Sequence, residues 1–261
     1  MSPRPPPLLS CEGLVKRFGG VVALDSLTLE VFPDEILGLI GPNGSGKTTL
    51  FNVITGIYAA DAGRTAFAGE DITDRTPQVV YRAGISRTFQ RSRLSLPLSI
   101  FDNIMIGNHK ALSRGLWRNL IGRRAFRREY EANLATARDL VHVFDAPLAD
   151  RLFEPVAGLP MIARRRVEIC RALIGRPRLL LLDEPSAGMT HEETRHLMDD
   201  ILEVRNRFKG LTLIVVEHEM GVIERITSRC VVLNFGRKIA EGAFREVAAN
   251  AEVQEAYLGV Q

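Results

Sequence analysis

Nine residues near the amino end, Gly41-Pro42-Asn43-Gly44-Ser45-Gly46-Lys47-Thr48-Thr49, restrict what this chain can fold into more than any other stretch. They fit G-x-x-x-x-G-K-[ST], a loop that joins a strand to a helix and surrounds a polyphosphate with backbone N–H groups. Glycines are needed because the backbone turns inward through conformations that side chains obstruct. In such a loop Lys47 reaches the β- and γ-phosphates, and the Thr48 hydroxyl is placed for Mg²⁺. The flanks supply the context that the motif requires. Ile36-Leu37-Gly38-Leu39-Ile40 reads as a short apolar strand, and Leu50-Phe51-Asn52-Val53-Ile54 continues as a helix. Nucleotide binding through Gly41 to Thr49 is the expectation.

A second segment points to hydrolysis. Leu179-Leu180-Leu181-Leu182-Asp183-Glu184 is four leucines followed by two carboxylates. So short an apolar run suits a strand buried on both faces of a parallel sheet, and such sheets place ligands at the carboxyl ends of their strands. Asp183 suits Mg²⁺ held through its water shell, because Mg²⁺ keeps most of its waters and takes one or two carboxylates. Glu184 can activate or orient an attacking water. Taken alone, the two acids read better as solvated charges ending a strand; the phosphate loop tips the reading toward chemistry.

The rest of the chain alternates strand and helix around one interruption. Strands are expected at Leu8 to Val15, Ser26 to Val31, Glu35 to Ile40 and Thr65 to Phe67, then at Leu179 to Asp183, Leu211 to Glu217 and Arg229 to Asn234. From about Leu94 to Gly158 the texture is helical, with Tyr130, Leu134, Ala137, Val141 and Phe144 forming one apolar stripe. A helix from His191 to Phe208 opens with Thr190-x-x-Glu193, a capping-box pattern, and turns Leu197, Ile201, Val204 and Phe208 to one side. The fold class is α/β, a mostly parallel sheet with helices on its faces, a β-rich amino-terminal portion and a helical insertion. The boundaries read as a proline-rich tail over 1–7, a nucleotide-binding core over 8–93 and 158–261, and the insertion over 94–157.

Composition sets the compartment. The net charge of +3, from 34 basic and 31 acidic side chains, gives no bias toward nucleic acid. Cys11, Cys170 and Cys230 are odd in number and widely spaced, which suits reduced thiols in the cytosol. No apolar run approaches the length of a membrane span, and Met1 to Pro7 has no apolar core of a signal peptide. The remaining histidines, His109, His142, His191 and His196, share no metal-ligand spacing.

Further stretches carry a resemblance. Arg17-Phe18-Gly19-Gly20, Arg87-Thr88-Phe89-Gln90, Asp183-Glu184-Pro185-Ser186-Ala187-Gly188-Met189, Val216-Glu217-His218-Glu219-Met220, Phe235 to Gly242 and Glu255 to Gly259 make the chain resemble the ATP-binding subunits of ATP-binding-cassette (ABC) transporters. The nearest likeness is to subunits of branched-chain amino-acid importers, over nearly the full length. The resemblance implies an ATPase, with ATP and Mg²⁺ as cofactors, at the cytoplasmic face of the membrane. It implies head-to-tail pairing with a second ATPase beneath two permeases, and a solute-binding protein as an indirect partner. It assigns Phe18 to the adenine, Gln90 to Mg²⁺ and the attacking water, His218 to the γ-phosphate, and Ser186 to Met189 to the dimer seam. Alternatives left open are a regulatory subunit that hydrolyses little, a lipid or export motor, and an ATPase of DNA repair or translation.

One segment departs from the family. Where Leu-Ser-Gly-Gly-Gln is expected, counting back from Arg164-Arg165-Arg166-Val167-Glu168-Ile169-Cys170-Arg171-Ala172-Leu173 gives Leu159-Pro160-Met161-Ile162-Ala163. The serine hydroxyl is gone, Pro160 has no N–H, and Ile162 stands where glycine would let backbone approach phosphate. A helix should still start here. The expectation is a heteromeric partner with an intact segment and two unequal ATP sites. Arg164 to Arg166, and Arg114, Arg118, Arg123, Arg124, Arg127 and Arg128, read as solvated helix faces or as contacts to permease loops or lipid heads.

Overall fold

The amino-terminal hairpin is longer than its apolar pattern indicates. In the computed structural model, which describes residues 5–90, 93–108 and 123–258, β1 (Leu9–Phe18) and β2 (Val21–Val31) pair antiparallel through a turn at Gly19-Gly20. Register shifts after Cys11, Leu14 and Lys16 bend the ladder. These bulges break the alternation of buried and exposed positions, which hides the outer half of the hairpin from a period-two reading. With β4 (Ala62–Phe67) and β5 (Glu70–Asp71) the hairpin forms a four-stranded sheet in the order β2-β1-β4-β5.

The second sheet carries β3 (Ile36–Ile40) at its centre. Its order is β10-β9-β3-β8-β7-β6, with β6 (Ile85–Arg87), β7 (Leu179–Asp183), β8 (Thr212–Val216), β9 (Arg229–Asn234) and β10 (Arg237–Gly242). All neighbours run parallel except β10, which folds back on β9. β3, β7 and β8 are buried at every position, as strands covered on both faces must be. Between the sheets lies one cluster containing Leu9, Leu14, Leu29, Leu37, Phe51, Phe67, Leu181 and Val231. On the other side Ile40, Ile223, Cys230, Val232, Val247 and Val253 pack together. Helices α1 (Lys47–Ile54) and α2 (Pro77–Ala83) belong to this unit, as do the three short helices of the chain's last part: α8 (Met220–Ile226), α9 (Phe244–Ala248) and α10 (Ala251–Leu258).

The chain divides into two compact units. The first takes residues 1–87, 178–185 and 209–261, and the second takes 88–177 and 186–208. The expected insertion lies inside the second unit, which also includes α6 (Met161–Leu173) and α7 (His191–Arg207). The unit is completed by α3 (Ile100–Ile106), α4 (Arg123–Phe144) and α5 (Ala146–Ala149). In the α4 stripe Ala137, Val141 and Phe144 are buried, whereas Tyr130 is exposed. The capping box at α7 is present in both halves: the Glu193 N–H donates to the Thr190 hydroxyl, and Glu193 accepts from the Thr190 N–H.

One surface reading needs correcting. Arg164 to Arg166 do not form a solvated face. Arg165 is buried against Glu168, Arg166 bonds Asp145 and Asp200, and Arg164 donates to the Ala157 carbonyl. Acidic partners three residues away or on neighbouring elements draw Arg165 and Arg166 inward, which helical periodicity cannot show. Arg124, Arg127 and Arg128 are exposed; Arg114 and Arg118, and the side chain of Arg123, lie outside the described residues.

Candidate active site

Gly41, Gly44 and Gly46 take φ of 146°, 81° and 106°, and these backbone choices shape the loop between β3 and α1. A Cβ at Gly46 would meet the Ala23 carbonyl oxygen at 2.6 Å, and one at Gly41 would collide with the Leu233 carbonyl. Both positions therefore exclude any other residue. The loop closes on itself through Ser45 N–H to Pro42 O at 3.2 Å and is braced by Gly236 N–H to Ser45 O at 2.9 Å. Asn43 and Gly44 are exposed at its crest.

Lys47 opens α1 with its side chain folded back over the loop. Its Nζ donates to the carbonyls of Gly41 at 2.7 Å and Pro42 at 2.9 Å. Burial pulls its pKa down, against the opposing pull of Glu184 and Asp183. No side chain caps the amino end of α1, and its first turn has no acidic residue. The orphan N–H groups and the helix dipole there suit an anion. Thr48 in the same turn is exposed and Thr49 partly so.

Strand ends bring the acids to this loop's lysine. Asp183 is the last residue of β7, pairs in register with Val216 of β8, and is 1% exposed. Burial raises its carboxyl above the usual range, and Arg87, at the end of β6, works against that rise. The Arg87 guanidinium donates to Asp183 Oδ2 at 2.9 Å and to Asn52 Oδ1 of α1 at 2.6 Å. Neither Arg87 nor Asn52 stands out in the sequence as a site residue. The signal available was a single charge closing the three-residue stretch Ile85-Ser86-Arg87.

Glu184 leaves β7 with φ 47°, a left-handed conformation rare for glutamate, and its N–H is held by Val216 O at 3.0 Å. Such strain in a residue at a strand's carboxyl end is a mark of functional sites. Its Oε1 lies 2.7 Å from His218 Nε2, and His218 follows β8, the neighbouring strand. Phe18, at the end of β1, is 43% exposed and meets Tyr58 edge-on at 5.3 Å. One aromatic face is thus held at a fixed angle by another that sequence reading passed over.

Gln90 belongs to the second unit, where it is exposed and its carbonyl accepts from Arg165 at 3.3 Å. In the same unit Pro160 is the N-cap of α6, and no side chain caps that helix. Met161 is exposed and Ile162 partly buried. A helix does start in this segment.

A family model described as "ABC transporter" matches residues 24–187, more than half of the chain. The chain belongs to the ABC transporter family. A model described as "Branched-chain amino acid ATP-binding cassette transporter" matches residues 237–261 of the cassette. The high-affinity branched-chain amino acid transport ATP-binding protein LivG of Escherichia coli is 36% identical over 253 residues, 97% of this chain and 98% of LivG. BraF of Pseudomonas aeruginosa, of the same description, is 36% identical over 254 residues with the same coverage. Among solved structures, the ADP conformation of the ATP-binding cassette MJ1267 superposes with TM-score 0.83 at 31% identity, covering 97% of this chain and 99% of that one. The fold is that of the ABC ATPases, and this cassette hydrolyses ATP in a transport cycle. Among the described residues no helix is long and apolar enough to cross a membrane.

Proposed function

We propose that this cassette is the motor subunit of an importer for branched-chain amino acids or similar small polar solutes, lying peripherally at the cytoplasmic face of the membrane. The observation that carries the hydrolytic part is the 2.7 Å contact between Glu184 and His218, at the ends of neighbouring parallel strands. The solute class rests on the family model at 237–261 and on the names of the relatives.

In this reading Gly41 to Thr49 bind the phosphates, Phe18 carries the adenine, and Lys47 exchanges its loop carbonyls for phosphate oxygens. Glu184 takes the proton of the attacking water. His218 orients Glu184 and the γ-phosphate, and Gln90 is read as a contact to the water. The oxygen donors Thr48 and Asp183 fit Mg²⁺. Mg²⁺ keeps most of its waters and takes one or two protein oxygens, which two such donors can supply. Arg87 on Asp183 Oδ2 favours contact through the ion's waters. When bound, Mg²⁺ neutralises charge developing on the phosphates.

The partners are a second ATPase and two permeases, with a solute-binding protein acting through them. The permease dock falls on the second unit. Leu96, Leu98, Ile106 and Phe153 are exposed there. Ile100 and Phe101 of the same stretch are buried and offer no surface to a dock. Pro160 and Ile162 favour a heteromeric ATPase pair, because the altered segment would weaken the site formed with the partner's phosphate loop. Losing one or two charge-assisted hydrogen bonds, each about 1.5–3 kcal/mol, costs ten-fold or more in that site. The test is ATPase turnover and branched-chain amino-acid uptake by the assembled complex. Lys47→Ala should abolish most hydrolysis, and the matching change in the partner should remove little. Equal losses from the two changes, or brisk cooperative turnover by this subunit alone, would defeat the unequal pair. Uptake unaffected by deletion of the chain would defeat the solute assignment.

A further inference from the structure

A buried ion pair on α6 has hydrogen bonds only partly used between its own members. Arg165 and Glu168, three residues apart, are 7% and 2% exposed and meet at 2.7 Å. Burying two charges costs desolvation that their attraction does not reliably offset, so such a pair is weak support for stability by itself. Its other contacts all go to the main chain of one segment. Arg165 Nη1 donates to Phe89 O at 3.1 Å and Nη2 to Gln90 O at 3.3 Å. Glu168 Oε1 accepts from the Arg93 N–H at 2.9 Å. Arg171, further along the same helix, donates to Arg93 O at 2.8 Å, and the Arg93 guanidinium lies 4.0 Å from the centre of the Phe89 ring.

Residues 88–90 and 93–95 have no helix or strand of their own. Side chains of α6 take over the role that a ladder of backbone bonds would otherwise have, gripping the segment on both sides of Gln90. A planar guanidinium reaches two successive carbonyls and a carboxylate together, which a lysine ammonium cannot do with the same geometry.

We propose that Arg165 and Glu168 are positioning residues for Gln90. They fix its main chain to α6. The proposal rests on the reading of Gln90 as a contact to the attacking water.

The discriminating experiment uses the full chain in its assembled transporter, purified through a tag on this chain. The double variant Arg165→Met with Glu168→Leu replaces the pair by apolar groups of similar volume, an exchange that often leaves stability intact. The expected result is an unchanged melting temperature, ADP affinity within about two-fold, and ATPase kcat lower by roughly ten-fold, since small misplacements of a catalytic group cost that much or more. Gln90→Ala should lower kcat too. The three changes combined should be no slower than Gln90→Ala alone, because residues acting through one another are not additive. A purely structural pair would instead give additive losses, and that outcome overturns the proposal. Wild-type turnover in the double variant, with Gln90→Ala impaired, overturns it while leaving the Gln90 assignment intact. Wild-type turnover in Gln90→Ala removes the assignment and the proposal together. Should the double variant fail to fold, Arg165→Lys takes its place in the same cycle, with the same outcomes deciding.

Discussion

Glu184 is held by its left-handed backbone, by the Val216 carbonyl and by His218, so its carboxylate has little freedom to move away from the strand ends. Glu184→Gln preserves the shape and removes the proposed base. ATP binding by the variant should match wild type, and turnover should fall by about 10²-fold or more; wild-type turnover in an active complex would show that Glu184 is not the base. Arg87 has a different kind of effect. Arg87→Met leaves the Asp183 carboxylate buried without its guanidinium, which should cost about 3–5 kcal/mol at neutral pH. Burial already raises this carboxyl above its ordinary 3.8, and Arg87 opposes the rise. Without Arg87 the native state holds the proton more tightly than the unfolded chain does, so stability falls as pH rises through that window. The deficit of Arg87→Met should therefore shrink on acidification toward the ordinary carboxylate range, as read by urea unfolding at several pH values. The phosphate loop and the two acids were legible because each has a motif in consecutive residues. Arg87 and Asn52 were not, because their meaning comes from Asp183, which lies far along the chain from both.

At the scale of elements, legibility follows how completely a segment is buried. β7 and β9 match the sequence reading residue for residue, and α7 ends one residue early. Their patterns are continuous apolar runs or a clean helical stripe between firm stop signals. The three-residue strand β6 and the outer part of the β1–β2 hairpin were missed. A three-residue strand is too short to show a period, and bulges scramble one that is present. α7 also offers a test of local chemistry. Its box joins Thr190 and Glu193 reciprocally, so Thr190→Ala should lower stability by about 1 kcal/mol, while Thr190→Ser should be close to neutral. A loss from Ser equal to that from Ala, measured by denaturant unfolding, would mean that the threonine methyl matters more than its hydroxyl.

For the whole molecule, alternating strands and helices were enough to give a parallel sheet with the phosphate loop after one of its strands, whereas strand order could not be read. That order depends on crossovers packing β3 between β8 and β9, which are distant in sequence. The three cysteines are spread through the same framework, and all are fully buried: Cys11 in β1, Cys230 in β9 and Cys170 in α6 of the second unit. Burial pushes the Cys11 thiol up to about 12 and raises the other two, so the reactive thiolate is scarce at neutral pH. Maleimide should leave the folded protein unmodified over a time in which it consumes a free thiol, and rapid labelling of any one cysteine would contradict the packing. Toward water-borne reagents the native chain thus behaves as if it contained no cysteine. A single cysteine placed on an exposed site would report alone, with the native residues left in place, and slow labelling of Cys170 against Cys11 and Cys230 would time the opening of one unit against the other.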